Sequence, residues 1–304
     1  MLDRRNFLSV SAAAAAATAA WQPTKALAQK TTDDTAHPLI IFAKPLEHFD
    51  FHELGRRLSS IDVQGIEATL RAGGQIAPDQ FAEQLPRLTE ALAKHNQRVV
   101  IAASDINQAD QQTERQLKQF AAASIPYLRM QYYRYDFSQP LLPQLDTFAK
   151  QATELAELCK THGVKALYQN HAGKQYVGAA LWDLQQVLQE VDPEWLQVAF
   201  DIRHAALELS QSWPSGHAVV RPHIGAIYVK DVSWIDNQPH NVPLGEGIAK
   251  PVWDGVLQAG LIGPLSLHVE YLDHRQADLQ EQRWTAVTQD VATLRRWLGH
   301  ENLR

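Results

Sequence analysis

The amino-acid sequence predicts a single (β/α)8 barrel, a closed ring of eight parallel strands with helices packed around it. Short apolar runs recur at a spacing of roughly thirty residues, the length of one strand-helix-strand unit. The segments between them have the apolar period of helices. Strands that alternate with helices pair in parallel through right-handed crossovers, and eight such units in about 250 residues match this barrel. An open doubly wound sheet is the alternative, but no G-x-G-x-x-G segment follows the first run.

Each predicted strand is a short run of apolar residues. Because helices cover the outside of a barrel, such strands need not alternate between apolar and polar residues. In chain order, the predicted strands are Leu39–Ala43, Gly65–Ala68, Arg98–Ala102, Tyr127–Gln131, Lys165–Tyr168, Leu196–Phe200, Ile224–Val229 and Leu265–Val269.

The clearest helices between these strands show apolar residues along one face. They are predicted over Phe81–Lys94, Glu114–Ala123, Leu145–Thr161, Trp182–Val191 and Trp284–Leu298. The single cysteine, Cys159, falls on the third of these helices. One cysteine excludes an internal disulfide and a cysteine-rich zinc site, so we expect this thiol to be buried and inert.

Composition and charge narrow the functional classes. The 304 residues are 45% hydrophobic and 20% charged, with 15 glycines and 15 prolines, which excludes a disordered or collagen-like chain. The formal net charge is −6. A nucleic-acid partner is not expected, because binding to phosphates needs a basic surface.

The N-terminal segment resembles a twin-arginine export signal. The pair Arg4-Arg5 precedes Phe7 and Leu8, an alanine-rich run follows, and Ala26-Leu27-Ala28 resembles a signal-peptidase site. We predict cleavage after Ala28, which divides the chain into a signal over 1–28 and a barrel over 29–304. The run is too poor in large apolar side chains for a membrane span, and no lipid-anchoring cysteine follows it. The expected partner is the twin-arginine export machinery, and the expected location is the periplasm.

Polar residues follow every predicted strand, which is where barrel enzymes carry their chemistry. The strongest candidates are Gln169 and His171 after the fifth strand, Asp201 and His204 after the sixth, Lys230 and Trp234 after the seventh, and Glu270 after the eighth. Arg71 and Arg129, after the second and fourth strands, are candidates for binding a substrate anion.

Several of these strand ends resemble the xylose-isomerase-like barrel superfamily of sugar-phosphate isomerases and epimerases. The segments that carry the likeness are Tyr168–Gly173, Phe200–Ala205, Tyr228–Asp231, Val242–Gly247 and His268–Glu270. The likeness spans the predicted mature chain in order. Within the superfamily the sequence is most similar to an exported subgroup with a YQNH strand end and an arginine-glycine-glycine segment.

The resemblance implies one divalent metal held by Glu, Asp, His and Glu at the ends of strands five to eight. The matching residues here are Gln169, Asp201, Tyr228 and Glu270, so two of the four ligands differ. Glutamine lacks the negative charge, and a tyrosine phenol has an ordinary pKa of about 10. A residual site for Mn, Zn, Co or Mg, formed by Asp201, Glu270, Gln169 and His204, remains an open expectation.

The same differences bear on the reaction. Family epimerases use two carboxylates on opposite faces of a keto-sugar, and a glutamine at position 169 cannot accept a proton. We therefore expect Glu270 to be the general base. His171, His204 or Lys230 is the candidate second acid-base, and Lys230 is also a candidate electrophile for an enediolate oxygen. His204, Arg71, Arg129 and Trp234 are the candidate substrate-binding residues, with Trp234 as a stacking platform.

The favoured function is isomerisation or epimerisation of an unphosphorylated sugar or keto-sugar, because export removes the protein from cytoplasmic sugar phosphates. A lyase or dehydratase acting on a keto-glycoside is the second reading. A carbohydrate-binding barrel with a decayed metal site is the third. A DNA-repair barrel is disfavoured by the acidic charge and by the lack of a histidine-rich zinc cluster. The sequence gives no prediction of oligomeric state.

Overall fold

The structure, a computed structural model, describes residues 37–299 and contains the predicted closed barrel. The predicted signal peptide and its cleavage point lie outside these residues. Seven barrel strands come first along the chain, and an eighth, near the C-terminus, closes the ring between the first strand and the seventh. The barrel strands are β1 (Leu39–Phe42), β2 (Ile66–Thr69), β3 (Val99–Ala103), β4 (Tyr127–Arg129), β5 (Lys165–Gln169), β6 (Leu196–Asp201), β7 (Ile224–Val229) and β10 (Leu265–Leu267).

Helices cover the outside of the ring in the order that the sequence predicts. Their bounds are α1 (Phe51–Ser60), α2 (Phe81–Ala93), α3 (Gln111–Ala122), α4 (Leu141–His162), α5 (Trp182–Leu188), α6 (Ile202–Leu209), α7 (Trp213–Val220), α8 (Lys250–Ala259) and α9 (Gln280–Trp297). Local signals fix several ends: Asp110 caps α3 by accepting from Thr113 N at 2.7 Å, and Gly163 ends α4 in a left-handed conformation. None of the helices described is long and apolar enough to cross a membrane. Cys159 is buried in α4, and burial raises its pKa to about 12.

All barrel strand pairs are parallel. The ring closes where β1 pairs with β10, with Leu39 opposite Leu265. Side chains on one face of β5 to β7 fill the interior, including Leu167, Ala199 and Ala226. The larger apolar core lies between the strands and the helices. Because successive side chains of a strand point to opposite faces, every second residue points into the barrel.

A two-stranded hairpin, which the sequence analysis did not predict, follows β7. It consists of β8 (Asp231–Ile235) and β9 (Gln238–Val242), paired antiparallel with Val232 opposite Asn241. Its turn is Asp236-Asn237, both with positive φ, which is the two-residue turn that matches strand twist.

The carboxylate of Asp231 fixes the loop that leads from this hairpin to α8. It accepts from the backbone N–H of Gly245, Gly247 and Ala249 at 3.0, 3.1 and 2.9 Å. A Cβ on Gly247 would lie 2.2 Å from an Asp231 oxygen, so only glycine fits there. The Val242–Gly247 segment, one of those that resemble the superfamily, thus has a structural role.

Candidate active site

The barrel places the polar strand-end residues together at its C-terminal mouth. Inward-facing Leu167 and Ala199 are followed two residues later by Gln169 and Asp201, which point the same way. Lys230 follows Tyr228 on β7 in the same manner. All of these side chains are at least nine-tenths buried. The structure therefore brings together the polar residues that follow strands five, six and seven.

A layer of buried ion pairs lies below the site. Glu67 on β2 is fully buried and pairs with Arg129, whose Nε is 2.9 Å from Oε1. Ser266 Oγ donates to Glu67 Oε2 at 2.6 Å, and His268 Nε2 lies 3.1 Å from the same oxygen. Arg129 also lies over the ring of Phe42. Residues of β4 and β10, neither of which is adjacent to β2 in the ring, are therefore tied to one carboxylate on β2.

Above this layer, the ammonium of Lys230 joins two carboxylates. Its Nζ lies 3.1 Å from Asp201 Oδ2 and 3.2 Å from Glu270 Oε2. The second oxygen of Glu270 is 3.2 Å from Lys44 Nζ. Glu270 and Lys44 keep about a fifth and a quarter of their side chains exposed, whereas Lys230 and Asp201 are buried. Glu270 is thus the carboxylate that faces solvent in this group.

The opposite charges of Lys230, Asp201 and Glu270 keep one another ionised. Burial, the largest single effect, would raise the pKa of Glu270, but Lys230, His268 and Lys44 together outweigh it and hold that pKa well below its usual range. Burial would lower the pKa of Lys230, but Asp201 and Glu270 raise it. Glu270 is therefore an ionised base and Lys230 a permanent cation at neutral pH. Of the two roles that the sequence leaves open for Lys230, this charge state favours the electrophile over the acid-base.

Hydrogen bonds fix the orientation of the Gln169 amide. Its Oε1 accepts from Arg129 Nη1 and from the Tyr132 hydroxyl, both at 2.7 Å. Since a guanidinium can only donate, the amide oxygen must face Arg129. The amide nitrogen then faces Asp201, to which it donates at 2.7 Å. Gln169 turns an N–H, and not a carbonyl oxygen, toward the Asp201 carboxylate.

The tautomer of His204 follows from the same reasoning. Its Nδ1 accepts from Ala172 N at 3.1 Å and lies 2.9 Å from Arg203 Nη1. Burial first, and Lys230 second, lowers the pKa of His204 well below its ordinary value, so the ring is neutral. Its proton is then on Nε2, 3.6 Å from Asp201 Oδ2. His204 presents a donor to the site.

Two aromatic side chains line the β4–β5 side of the mouth. His171 Nδ1 donates to the carbonyl of Ala172 at 2.8 Å, and burial lowers its pKa to about 4. At neutral pH its Nε2 therefore carries a lone pair. The Tyr132 ring lies 4.8 Å from that of His171. Burial raises the pKa of Tyr132, so its hydroxyl keeps its proton and can donate.

Asn170 locks two strand ends at the mouth. Its Oδ1 accepts from Asp201 N at 2.7 Å, and its Nδ2 donates to the Asp201 carbonyl at 3.2 Å. The Asp201 carboxylate also caps α6 by accepting from His204 N at 3.1 Å. Strand end, helix start and site carboxylate are thus held in one arrangement.

The structure separates the candidate substrate-binding residues. Arg129 is buried and engaged by Glu67 and Gln169, which is a positioning arrangement. Arg71 is half-buried beside Arg129, and its guanidinium has no ion pair within residues 37–299. Trp234 lies on the outer half of the hairpin, opposite Pro239, and is 53% exposed.

The donor set does not fit the divalent metal that the superfamily implies. Of the four expected ligands, Asp201 and Glu270 are already joined by an ammonium, Gln169 donates to Asp201, and His204 carries its proton on the nitrogen that lies 3.6 Å from Asp201. Among the residues described, no group of three or more His, Cys, Asp or Glu could hold a metal ion. Tyr228, at the position of the family histidine, is fully buried beside His268 in the layer below. As oriented here, these residues form an ion-pair site, and the ligand set expected from the sequence stays a prediction.

Three contributors have no role in the sequence prediction. Glu67 interrupts an otherwise apolar strand, and its charge is a usable signal. Lys44 follows β1, as other polar residues follow the other strands. Asn241, on the unpredicted hairpin, donates to the Glu270 carbonyl at 3.3 Å. Together with His274 and Glu270 it lines a cavity of about 150 Å³.

Comparison with known proteins gives a family and a set of folds. A family model described as "Xylose isomerase-like TIM barrel" matches residues 56–289. No curated protein matches the sequence.

Solved structures share the fold at low identity. A 3-keto-D-glucoside 4-epimerase from E. coli is 15% identical with a TM-score of 0.58, covering 81% of this chain and 94% of its own. A probable 3-DHS dehydratase from Bacillus anthracis is 16% identical with a TM-score of 0.61, covering 82% and 98%. A xylose isomerase-like protein from Mycobacterium smegmatis, in complex with magnesium, is 11% identical with a TM-score of 0.59, covering 84% and 98%.

Proposed function

The chain belongs to the xylose isomerase-like TIM-barrel family, and from this premise we propose that it is an isomerase or epimerase of an unphosphorylated sugar or keto-sugar. The observation that carries the proposal is the contact of Glu270 with Lys230 at the barrel mouth. It combines an ionised, partly exposed base with a fixed cation 3.2 Å away. The family membership and the epimerase among the similar folds agree with this class of reaction.

The proposed reaction begins with proton abstraction next to a carbonyl. Glu270 takes the proton from carbon, and the electron pair of the broken C–H bond moves into the carbonyl to form an enediolate. The ammonium of Lys230 stabilises the new negative charge on oxygen. The proton of the adjacent hydroxyl then passes to the former carbonyl oxygen, and return of the abstracted proton from Glu270 to the former carbonyl carbon leaves the new carbonyl at the neighbouring carbon, which completes an aldose–ketose isomerisation.

Epimerisation needs a proton donor on the opposite face of the sugar. The strand order β10-β7-β6-β5-β4 places Lys230 and Asp201 between Glu270 on one side and Tyr132 and His171 on the other. Tyr132 keeps its proton, whereas His171 is neutral and accepts. Of these two side chains, Tyr132 is therefore the one whose hydroxyl holds a proton for this variant of the reaction, and in the structure it donates that proton to Gln169.

The test of this function is solvent exchange. The purified protein is incubated in D₂O with a panel of pentoses, hexoses and 3-keto-glucosides, and deuterium at the carbon next to the carbonyl is followed by NMR. Exchange with one member of the panel, with or without a change of configuration, supports the proposal. Absence of exchange with every member contradicts it.

Elimination from a keto-glycoside is the second candidate function. It is favoured by Gln169, which stands where the family epimerases carry the second of their two catalytic carboxylates. One base and one cation then remain, and together they are enough to expel a leaving group next to a ketone. A dehydratase also shares the fold. Release of the aglycone or of water from a 3-keto-glycoside, in the same incubation, distinguishes this reaction from isomerisation.

We also propose that the protein is exported to the periplasm by the twin-arginine machinery, as the Arg4-Arg5 segment indicates. Changing Arg4 and Arg5 together to lysine is expected to retain the chain in the cytoplasm with its N-terminus uncut. Fractionation and mass determination of the mature N-terminus test this. Export of the lysine variant at the wild-type level would contradict the proposed route.

A further inference from the structure

The ammonium of Lys230 lies between the two carboxylates that would be the strongest metal ligands in this barrel. Its distances to Asp201 Oδ2 and Glu270 Oε2 are 3.1 and 3.2 Å. Both carboxylates approach the same nitrogen, as they would approach a shared cation. Lys230 is itself only 7% exposed, so its charge stays within the site.

The remaining neighbours of Asp201 are arranged for an ammonium and not for a metal. Gln169 donates to Asp201 Oδ2, and its orientation is imposed by Arg129 from the other side. His204 Nε2, which carries the proton of that ring, lies 3.6 Å from the same oxygen without a hydrogen bond to it. A divalent ion bound to this oxygen would face these two N–H groups, which offer it no lone pair.

The charge count leads to the same result. Asp201 and Glu270 supply two negative charges, and Lys230 and Lys44 supply two positive charges in direct contact with them. A divalent cation added to this group would leave an excess positive charge in a buried site. An ammonium, in contrast, balances the carboxylates and still has protons to donate to a substrate oxygen.

We infer that Lys230 is a built-in replacement for the divalent cation of the family, so that this barrel polarises its substrate carbonyl with an ammonium and needs no metal. The inference rests on the proposed function for its catalytic consequence, but the replacement itself concerns only Lys230, Asp201 and Glu270. It can therefore be tested without a substrate.

The experiment is a titration with Mn²⁺, followed by electron paramagnetic resonance. We expect the wild-type protein to bind Mn²⁺ no more tightly than about 1 mM at this site, because the cation position is filled. Lys230→Ala opens that position and leaves two carboxylates, which can hold Mn²⁺ together with water. Its affinity is expected to rise by at least about tenfold.

Three variants control the measurement. Lys230→Ala with Asp201→Asn should lose the gained site, because one of its two charged ligands is removed. Lys250→Ala, which removes an exposed lysine on α8, should behave as wild type. Lys230→Gln separates the effect of filling the cation position from the effect of the lysine charge. Its amide fills the space, so this variant should bind Mn²⁺ more weakly than Lys230→Ala does.

The wild-type titration decides the inference even if the variants do not fold. One equivalent of Mn²⁺ bound to wild type at micromolar affinity would overturn it, and loss of that binding in Asp201→Asn would locate the ion at this site. Equal affinity in wild type and Lys230→Ala would do the same. Failure of the proposed function would be seen in a different measurement. The Mn²⁺ titration would then be as expected, but no substrate would exchange deuterium.

Discussion

Replacement of Glu270 by glutamine is expected to lower the rate of deuterium exchange into the substrate by about 10²–10⁴-fold, the usual contribution of a general base. The amide has the shape of the carboxylate but cannot accept the proton. Asn241 bonds the backbone carbonyl of residue 270, so this support is unchanged by the substitution. Binding of the sugar, measured by calorimetry, is expected to change much less than the exchange rate.

The matched control is Glu246→Gln, an exposed carboxylate in the loop before α8. It should exchange at the wild-type rate. A Glu270→Gln protein that exchanges as fast as this control would remove Glu270 from the mechanism. If Glu270→Gln binds the sugar as well as wild type does, and wild type catalyses neither exchange nor elimination, the barrel is a binding protein.

The fold could be predicted from the sequence because its signals are local. Ile224–Val229 was predicted with the bounds observed, and most other strand ends differ by one or two residues. The last strand stops at Leu267 instead of Val269, because His268 and Glu270 bond to side chains of the site. The hairpin after β7 was missed because its strand Gln238–Val242 is mostly polar and exposed.

The residues of the site could be located from the sequence, but their orientation could not. The strand-end rule finds Gln169, Asp201, Lys230 and Glu270. Which atom of Gln169 faces Asp201 depends on Arg129, 40 residues earlier in the chain. The contact between Lys230 and Glu270 likewise joins residues 40 apart. The metal prediction was therefore open at the sequence level, because residue types alone do not fix which lone pairs face a common point.

The layer below the site should dominate stability. Glu67→Gln leaves the guanidinium of Arg129 buried without its counter-charge, and removal of one partner of a buried ion pair costs about 3–5 kcal/mol. We expect the free energy of unfolding at pH 7, from urea denaturation, to fall by that amount. Glu83→Gln, which breaks an exposed pair with Arg87 on α2, should have no measurable effect.

Two further measurements test whether the loss comes from the unpaired charge. Glu67→Leu combined with Arg129→Met removes both charges and should recover much of the stability, since no buried charge is left alone. In wild type, burial alone would raise the pKa of Glu67, but Arg129 and the bonds from His268 and Ser266 lower it to about 2. The stability from this lowered pKa is present above the ordinary carboxyl value of 4.5 and is lost as the pH falls toward 2. The difference between wild type and Glu67→Gln should therefore shrink over that range, and a difference independent of pH would attribute the loss to packing instead of charge.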